Sequence, residues 1–260
     1  MKILFVGDVV GSPGRKAVCK LIPEIKKREK IDFVVVNAEN AAGGSGLTPR
    51  LAEELLSCKA DVLTSGDHIW KKKEIIPILD EEKRVLRPAN YPPGTPGMGW
   101  GVYSVGKSKV GVINLVGRVF MESVECPFRA ARSIVEKIKS ETPIILIDMH
   151  AEATSEKIAL VWYLDGMASA VLGTHTHVQT ADERIYPKGT AFISDLGMTG
   201  PHDSVIGRKV EQILARFITQ LPTRFEMAEK NIQLNGVIVT IDKKTGKALE
   251  IKRVNERLEE

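Results

Sequence analysis

Along this chain, apolar residues cluster in short runs that end on a polar or charged group. Ile3-Leu4-Phe5-Val6 leads to Gly7-Asp8, and Val34-Val35-Val36 to Asn37-Ala38-Glu39-Asn40. Val62-Leu63-Thr64 leads to Ser65-Gly66-Asp67-His68, and Ala168-Ser169-Ala170-Val171-Leu172 to Gly173-Thr174-His175-Thr176-His177. Runs this short, apolar on both faces, predict buried strands, here at 2–7, 31–37, 61–65 and 168–172. Between the first two, Val18, Leu21, Ile22 and Ile25 recur at helical spacing among Lys, Arg and Glu. They predict a solvated helix over 15–29, which Pro23 divides or kinks. Thr48-Pro49 is a helix start, the threonine as cap and the proline in the first turn. A helix through Leu55-Leu56 and another over 71–81 continue a βα rhythm, which to this point predicts a parallel sheet with helices on both faces.

The rhythm breaks at Arg87-Pro88-Ala89-Asn90-Tyr91-Pro92-Pro93-Gly94-Thr95-Pro96-Gly97, which predicts a long loop. A hairpin is predicted from 100–105 and 109–116, turning at Gly106-Lys107-Ser108. A helix over 127–140, a strand over 143–149 ending at His150, a helix over 154–163 and a strand over 190–194 follow. The polar loop 199–204 and a helix over 207–220 come next. Alternating segments at 224–228, 232–242 and 248–254, with a turn at Lys243-Lys244-Thr245-Gly246, predict antiparallel strands. The fold class expected is a mixed α/β domain spanning 1–260, with two facing sheets and helices outside.

Composition narrows the function classes. Hydrophobic content of 43%, charged content of 27% and a net charge of +4 over 260 residues fit one globular unit. Without a block of basic residues, nucleic acid is not a required partner. Cys19, Cys58 and Cys126 are odd in number and far apart, which argues against a disulfide framework or a thiolate zinc site and fits a reducing cytosol. The opening apolar run is too short for a signal peptide, and none approaches the roughly 18 residues of a membrane span, so a cytoplasmic location is expected.

Asp8, Glu39, Asp67, His150, His175 and His177 all lie at or just past predicted strand ends, with Asn40 and His68 beside two of them. In α/β folds the carboxyl ends of strands converge on one edge, where ligand sites form. Four of the five histidines fall there, and His175 and His177, at i and i+2 in extended chain, would project to one side. Imidazole with carboxylate suits zinc, manganese or iron. This many groups exceeds the needs of one ion and suits two, about 3.5–4 Å apart, sharing a carboxylate. A single-ion site and an unrelated polar cluster are the alternatives. Plainer roles also exist: Asp8 as a turn cap, Asn40 in a turn hydrogen bond, His202 on a surface loop. Glu152 either favours a helix N-terminus or orients a ligand histidine. The Gly43-Gly44-Ser45-Gly46 loop is not a Walker motif, and its glycines fit a tight turn.

These blocks resemble the calcineurin-like metallophosphoesterases and, more closely, their YmdB-type branch. The resemblance rests on Gly7-Asp8-Val9-Val10-Gly11, Asn37-Ala38-Glu39-Asn40, Gly66-Asp67-His68, Asp148-Met149-His150-Ala151-Glu152 and Gly173-Thr174-His175-Thr176-His177. Branch features include Arg87-Pro88-Ala89-Asn90, Ile113-Asn114-Leu115 and Asp195-Leu196-Gly197-Met198-Thr199-Gly200. The resemblance implies a four-layer αββα sandwich and a homo-oligomeric phosphodiesterase acting on 2′,3′-cyclic and 3′,5′-cyclic nucleotides. Two metal ions are implied, iron or manganese, with zinc an alternative. Asp8, His177 and Asn40 would hold one ion, Asp67, His150 and His175 the other, with Glu39 bridging. The chain departs from the pattern at Val10, where most of the superfamily has His, and at Asp67, where Asn is usual. An added negative charge at 67 implies tighter divalent binding and a less electrophilic ion.

The chemistry expected is in-line attack on phosphorus by hydroxide generated at the two cations, with His68 donating a proton to the leaving oxygen. Asn90, Tyr91, Arg118 and Phe120 are the candidate contacts to base or ribose. Phosphomonoesterase or protein phosphatase activity on the same centre, a metal-dependent amidohydrolase and a regulator of RNA processing are the competing readings.

Overall fold

The computed structural model describes residues 1–259. The first half follows the βα rhythm: β1 (Lys2–Val6), α1 (Gly11–Glu29), β2 (Phe33–Asn37), α2 (Pro49–Ser57) and β3 (Val62–Thr64). After the proline-rich loop come β4 (Trp100–Val105), β5 (Ser108–Val116), α3 (Pro127–Ile138), β6 (Ile145–His150), α4 (Thr154–Leu164) and β7 (Ala170–Thr174). The chain ends with β8 (Arg184–Ile185), β9 (Ala191–Ile193), β10 (Gly200–Pro201), α5 (Val210–Thr219), β11 (Ile232–Ile241) and β12 (Ala248–Arg257).

Two six-stranded sheets result. One runs β10-β11-β1-β2-β3 with β12 beside β11, the other β4-β5-β6-β7-β9-β8. Strands β1, β2 and β3 are mutually parallel, as are β5, β6, β7 and β9, while β11 runs antiparallel to β1. Side chains of a strand alternate between faces, and here both faces are apolar. Ile3, Phe5, Phe33 and Val35 pack against Val110, Val112, Leu146 and Leu172 of the other sheet. Leu4, Val6, Val34 and Val36 face α1 and α2 through Val18, Ile22, Ile25 and Leu55. Ile145, Ile147 and Val171 face α3 and α4 through Val135, Ile138, Leu160 and Leu164. These three apolar layers make the four-layer αββα sandwich that the resemblance implied, so each sheet carries helices on one face only, its other face being covered by the second sheet.

Several local expectations change. Helix α1 begins at Gly11 and continues through Pro23, since one missing N–H costs less than exposing its packed face. The predicted helix over 71–81 is instead two short 3₁₀ segments, Asp67–Lys71 and Lys73–Leu79, the second containing Pro77. Segment 224–228 is not a strand; only Met227 makes a single bridge, to Arg208. Thr48 caps α2, its hydroxyl accepting from the Leu51 N–H at 3.3 Å, as its sequence position predicts.

The cysteine expectation is overturned for two of the three residues. Packing of α1 on α2 brings Cys19 and Cys58 to 4.7 Å between Cα atoms, and they form a disulfide, leaving Cys126 as the free thiol. Distance in sequence was a poor guide, because the intervening β2 crossover returns the chain to the same face of the sheet.

Candidate metal centre

The parallel strands deliver their carboxyl ends to one edge. Asp8 follows β1, Glu39 and Asn40 follow β2, Asp67 and His68 follow β3, His150 ends β6, and His175 and His177 follow β7. Donor atoms of Glu39, Asp67, His150 and His175 all lie within 4.8 Å of one another. Asp8 and His177 stand beside them: Asp8 Oδ1 is 3.8 Å from His150 Nδ1 and 4.0 Å from His177 Nε2.

Hydrogen bonding fixes which ring nitrogens point inward. Asp148, fully buried in β6, accepts from Asn37 Nδ2 at 3.0 Å, Thr64 Oγ1 at 2.5 Å and Thr174 Oγ1 at 2.7 Å. With its proton committed to Asp148, the Thr174 hydroxyl accepts from His150 Nδ1, 2.9 Å away. His150 Nε2 therefore faces Glu39 Oε1 at 3.1 Å, Asp67 Oδ1 at 3.5 Å and His175 Nδ1 at 3.0 Å. His175 Nε2 reaches Glu152 at 3.2 Å, so the orienting role for Glu152 has a geometric basis. The carboxylate takes the outer N–H and leaves Nδ1 turned inward.

Four acceptors thus converge with no donor of their own between them. Only a proton or a cation reconciles such a set. Burial would lower the His150 pKa, yet Glu39, Asp67 and Asp8 raise it well above the ordinary histidine range. Burial and the neighbouring His150 push His175 down to about 4. Burial pushes Asp8 up to about 6 against the pull of His177 and His150. For Asp67 and Glu39, burial raises the pKa, but the facing histidines outweigh it and hold both carboxyls below their ordinary values. Asp8 Oδ1 and Asp67 Oδ1 are buried without a hydrogen-bond partner among the described residues. Orphaned carboxylate oxygens beside inward imidazole nitrogens, with no thiolate among them, are a donor set that fits divalent cations such as zinc, manganese or iron.

Asn40 occupies the junction. Its amide nitrogen lies 3.1 Å from Glu39 Oε1 and 3.1 Å from His177 Nε2, and its carbonyl oxygen accepts from His68 Nδ1 at 2.8 Å. It thus turns nitrogen, not oxygen, toward the predicted metal ligands, and links His68 to them. His68 Nε2 points the other way, 3.8 Å from Asp67 Oδ2.

The histidine loop differs from its sequence reading. Strand β7 ends at Thr174, and His175 and His177 adopt φ of 103° and 67°. In this left-handed backbone the two side chains diverge, His175 toward His150 and His177 toward Asn40 and Asp8. The Gly43–Gly46 turn acts from behind: the N–H groups of Gly46 and Gly44 donate to the carbonyls of Glu39 and Asn40 at 2.5 and 3.0 Å. No side chain fits at Gly66, where a Cβ would lie 2.2 Å from both Glu39 Oε2 and His150 Cδ2.

The predicted substrate contacts separate. Asn90 is buried and fully engaged, donating to Val116 O at 2.8 Å and Glu125 O at 3.0 Å and accepting from Val116 N at 2.9 Å. In this position its amide latches the proline-rich loop to β5 and to the segment before α3. Tyr91 packs edge-on against Trp70, at 5.4 Å between centroids, with its hydroxyl buried and unpartnered among the described residues. Arg118 and Phe120 are exposed, Phe120 by 90%, on a segment whose N–H groups at 118 and 119 donate to Glu156. His202 is half-buried, its ring 3.5 Å from Asn235 and outside the donor cluster. A groove of about 770 Å³ between α2 and the second 3₁₀ segment, lined by Arg50, Leu56, Ile78 and Arg84, holds none of the metal-site donors.

Sequence reading missed the supports behind the donors. Asp148, within the apolar run of β6, and Asp195, which pairs with Lys157 at 2.9 Å, are both buried acids. An acid inside an otherwise apolar strand was the available signal for Asp148.

A family model described as YmdB-like protein matches residues 4–254. The chain is 51% identical over 254 residues to the 2′,3′-cyclic-nucleotide 2′-phosphodiesterase of Bacillus subtilis, spanning 98% of this chain and 96% of that protein. A crystal structure of a hypothetical protein from Thermus thermophilus superposes with a TM-score of 0.92 at 42% identity, covering 99% of both chains. A crystal structure described as a novel phosphatase from Mycoplasma pneumoniae superposes with a TM-score of 0.93 at 34% identity, covering 99% of this chain and 93% of the other.

Proposed function

The chain belongs to the YmdB-like protein family, and from that premise we propose that it is a two-metal phosphodiesterase that opens cyclic nucleotides, 2′,3′-cyclic ones foremost. The carrying observation is the convergence of Glu39, Asp67, His150 and His175 within 4.8 Å, flanked by the orphaned Asp8 Oδ1. Asp8 and His177 would hold one ion and Asp67, His150 and His175 the other, with Glu39 between them, while Asn40, its oxygen engaged by His68, would support the first ion without supplying a ligand atom. When bound, the two cations supply charge for the phosphoryl oxygens and acidify a water.

The side chains contribute the rest. Glu152 and Thr174 hold His175 and His150 by their outer nitrogens, so neither ring turns during the reaction. Asn40 holds His68 by Nδ1, which leaves Nε2 as the atom that delivers a proton to the departing ribose oxygen. Arg118 and Phe120, both exposed, offer a cation and a ring face to the substrate, whereas the Tyr91 hydroxyl is buried beside Trp70 and would have to be uncovered to reach it. The centre would take iron or manganese, and the enzyme would be a homo-oligomer. The cysteine argument for a reducing compartment falls with the Cys19–Cys58 pair.

A substrate panel tests this. Protein loaded separately with iron, manganese and zinc is given 2′,3′-cyclic and 3′,5′-cyclic nucleotides, a nucleoside monophosphate and a phosphopeptide. Cyclic nucleotides should turn over fastest, and preference for the monophosphate or phosphopeptide would overturn the reading. His68→Ala should lose about 10²-fold or more on the cyclic nucleotide and little on a nitrophenyl diester, whose leaving group needs no acid.

A further inference from the structure

One buried ion pair takes no part in the donor cluster. Lys157 of α4 and Asp195, just after β9, are each 1% exposed and meet at 2.9 Å. Burying two charges is costly unless every remaining polar atom is also satisfied. The partner that Asp195 satisfies is the loop between the two metal-site histidines: its Oδ2 accepts from the Thr176 N–H at 3.0 Å and from the Thr176 hydroxyl at 2.8 Å. Its Oδ1 accepts from Gly197 N at 2.9 Å.

The loop needs such a hold. His175 and His177 both adopt positive φ, a backbone conformation unfavourable for residues with a side chain. The flanking bonds alone do not fix Thr176: His175 N donates to Asp8 at 3.1 Å, and the His177 carbonyl accepts from Met198 N at 3.0 Å. Thr176 is thus the middle of three pins, and the one that separates the two histidines. Released there, the loop can relax toward extended chain, where residues at i and i+2 point to the same side.

The geometry points to Asp195, charge-balanced by Lys157, as a positioning residue that acts through Thr176 to keep His175 and His177 turned to opposite ends of the cluster. The inference rests on the two-ion reading given above. Its consequence is selective: loss of the hold weakens metal binding while the sandwich, whose apolar layers lie elsewhere, remains folded.

The test titrates metal-free protein with Mn²⁺, reading free ion by its paramagnetic resonance signal to obtain stoichiometry and affinity. Thr176→Val deletes the hydroxyl at nearly constant volume, and Thr176→Ser restores it. We expect two ions in the parent, a loss of about 10–100-fold in affinity for Thr176→Val, and near-parental binding for Thr176→Ser. Lys157→Met combined with Asp195→Leu removes both charges together and should show the same loss with native far-UV circular dichroism. If that double variant fails to fold, the Thr176 pair decides. Parental affinity in Thr176→Val, or equal losses in Thr176→Val and Thr176→Ser, would overturn the inference. A parent that binds fewer than two ions would instead overturn the two-ion reading on which it rests.

Discussion

Gly66→Ala perturbs the metal centre with a single methyl group. A Cβ at this position would stand 2.2 Å from Glu39 Oε2, 2.2 Å from His150 Cδ2 and 2.3 Å from His150 Nε2. Contacts below 3.0 Å essentially never occur, so the carboxylate, the imidazole or the Gly66 backbone must retreat by about 0.8 Å at least. Retreat is not free, because His150 is buried and pinned through Thr174 to Asp148. Overpacking of this kind costs about 1–3 kcal/mol of stability. Ligand positions in metal sites tolerate only about 0.2 Å, and an error near 1 Å costs about 10²-fold in rate, or about 2.7 kcal/mol. The expected protein is therefore folded, with a modestly lowered melting point, and about 10²-fold slower on a cyclic nucleotide at fixed metal. Its Mn²⁺ titration should show a weakened site. Parental metal affinity together with parental turnover would refute the placement of Glu39 and His150 around Gly66.

Three further outcomes are expected. Cys19→Ser with Cys58→Ser opens a loop with a sequence separation of 39. By chain entropy the loss is about 4 kcal/mol, which lowers Tm by about 8 °C. The unfolded, unreduced parent should titrate as one thiol, and three would exclude the pairing. Asp67→Asn removes a charge from the donor set and should weaken divalent affinity by about tenfold, while raising turnover per loaded site. Unchanged affinity and rate would show that the departure at this position is silent. Asn90→Leu strands Val116 and Glu125 backbone groups and should cost about 2–4 kcal/mol in denaturant unfolding. KM of the folded variant should be unchanged, whereas a raised KM with unaltered stability would return Asn90 to the substrate contacts.

Sequence alone determined the layers of this protein and the edge at which its chemistry gathers. Strands such as Ile3–Val6 and Val34–Val36 are apolar at every position, so they must be covered on both faces, and the hairpins that follow the βα units pointed to a second, facing sheet with helices outside. Each ends on a carboxylate, amide or imidazole, and parallel strands carry such endings to one edge, so Asp8, Glu39, Asp67, His150, His175 and His177 were legible as a set. Tertiary structure alone decided how those groups are aimed. Extended chain would send His175 and His177 the same way, but a left-handed turn pinned at Thr176 sends them apart. Spacing gave no hint of the disulfide, which exists because two helices lie on one sheet face. It gave equally little hint that Asn90 is consumed by backbone, or that Asp148 and Asp195 act from beneath. The physical reason is common to all of these. Hydrophobic periodicity is a local property of the chain, whereas hydrogen bonds such as Asp195 to Thr176 join residues that adjoin only once the sheets have formed.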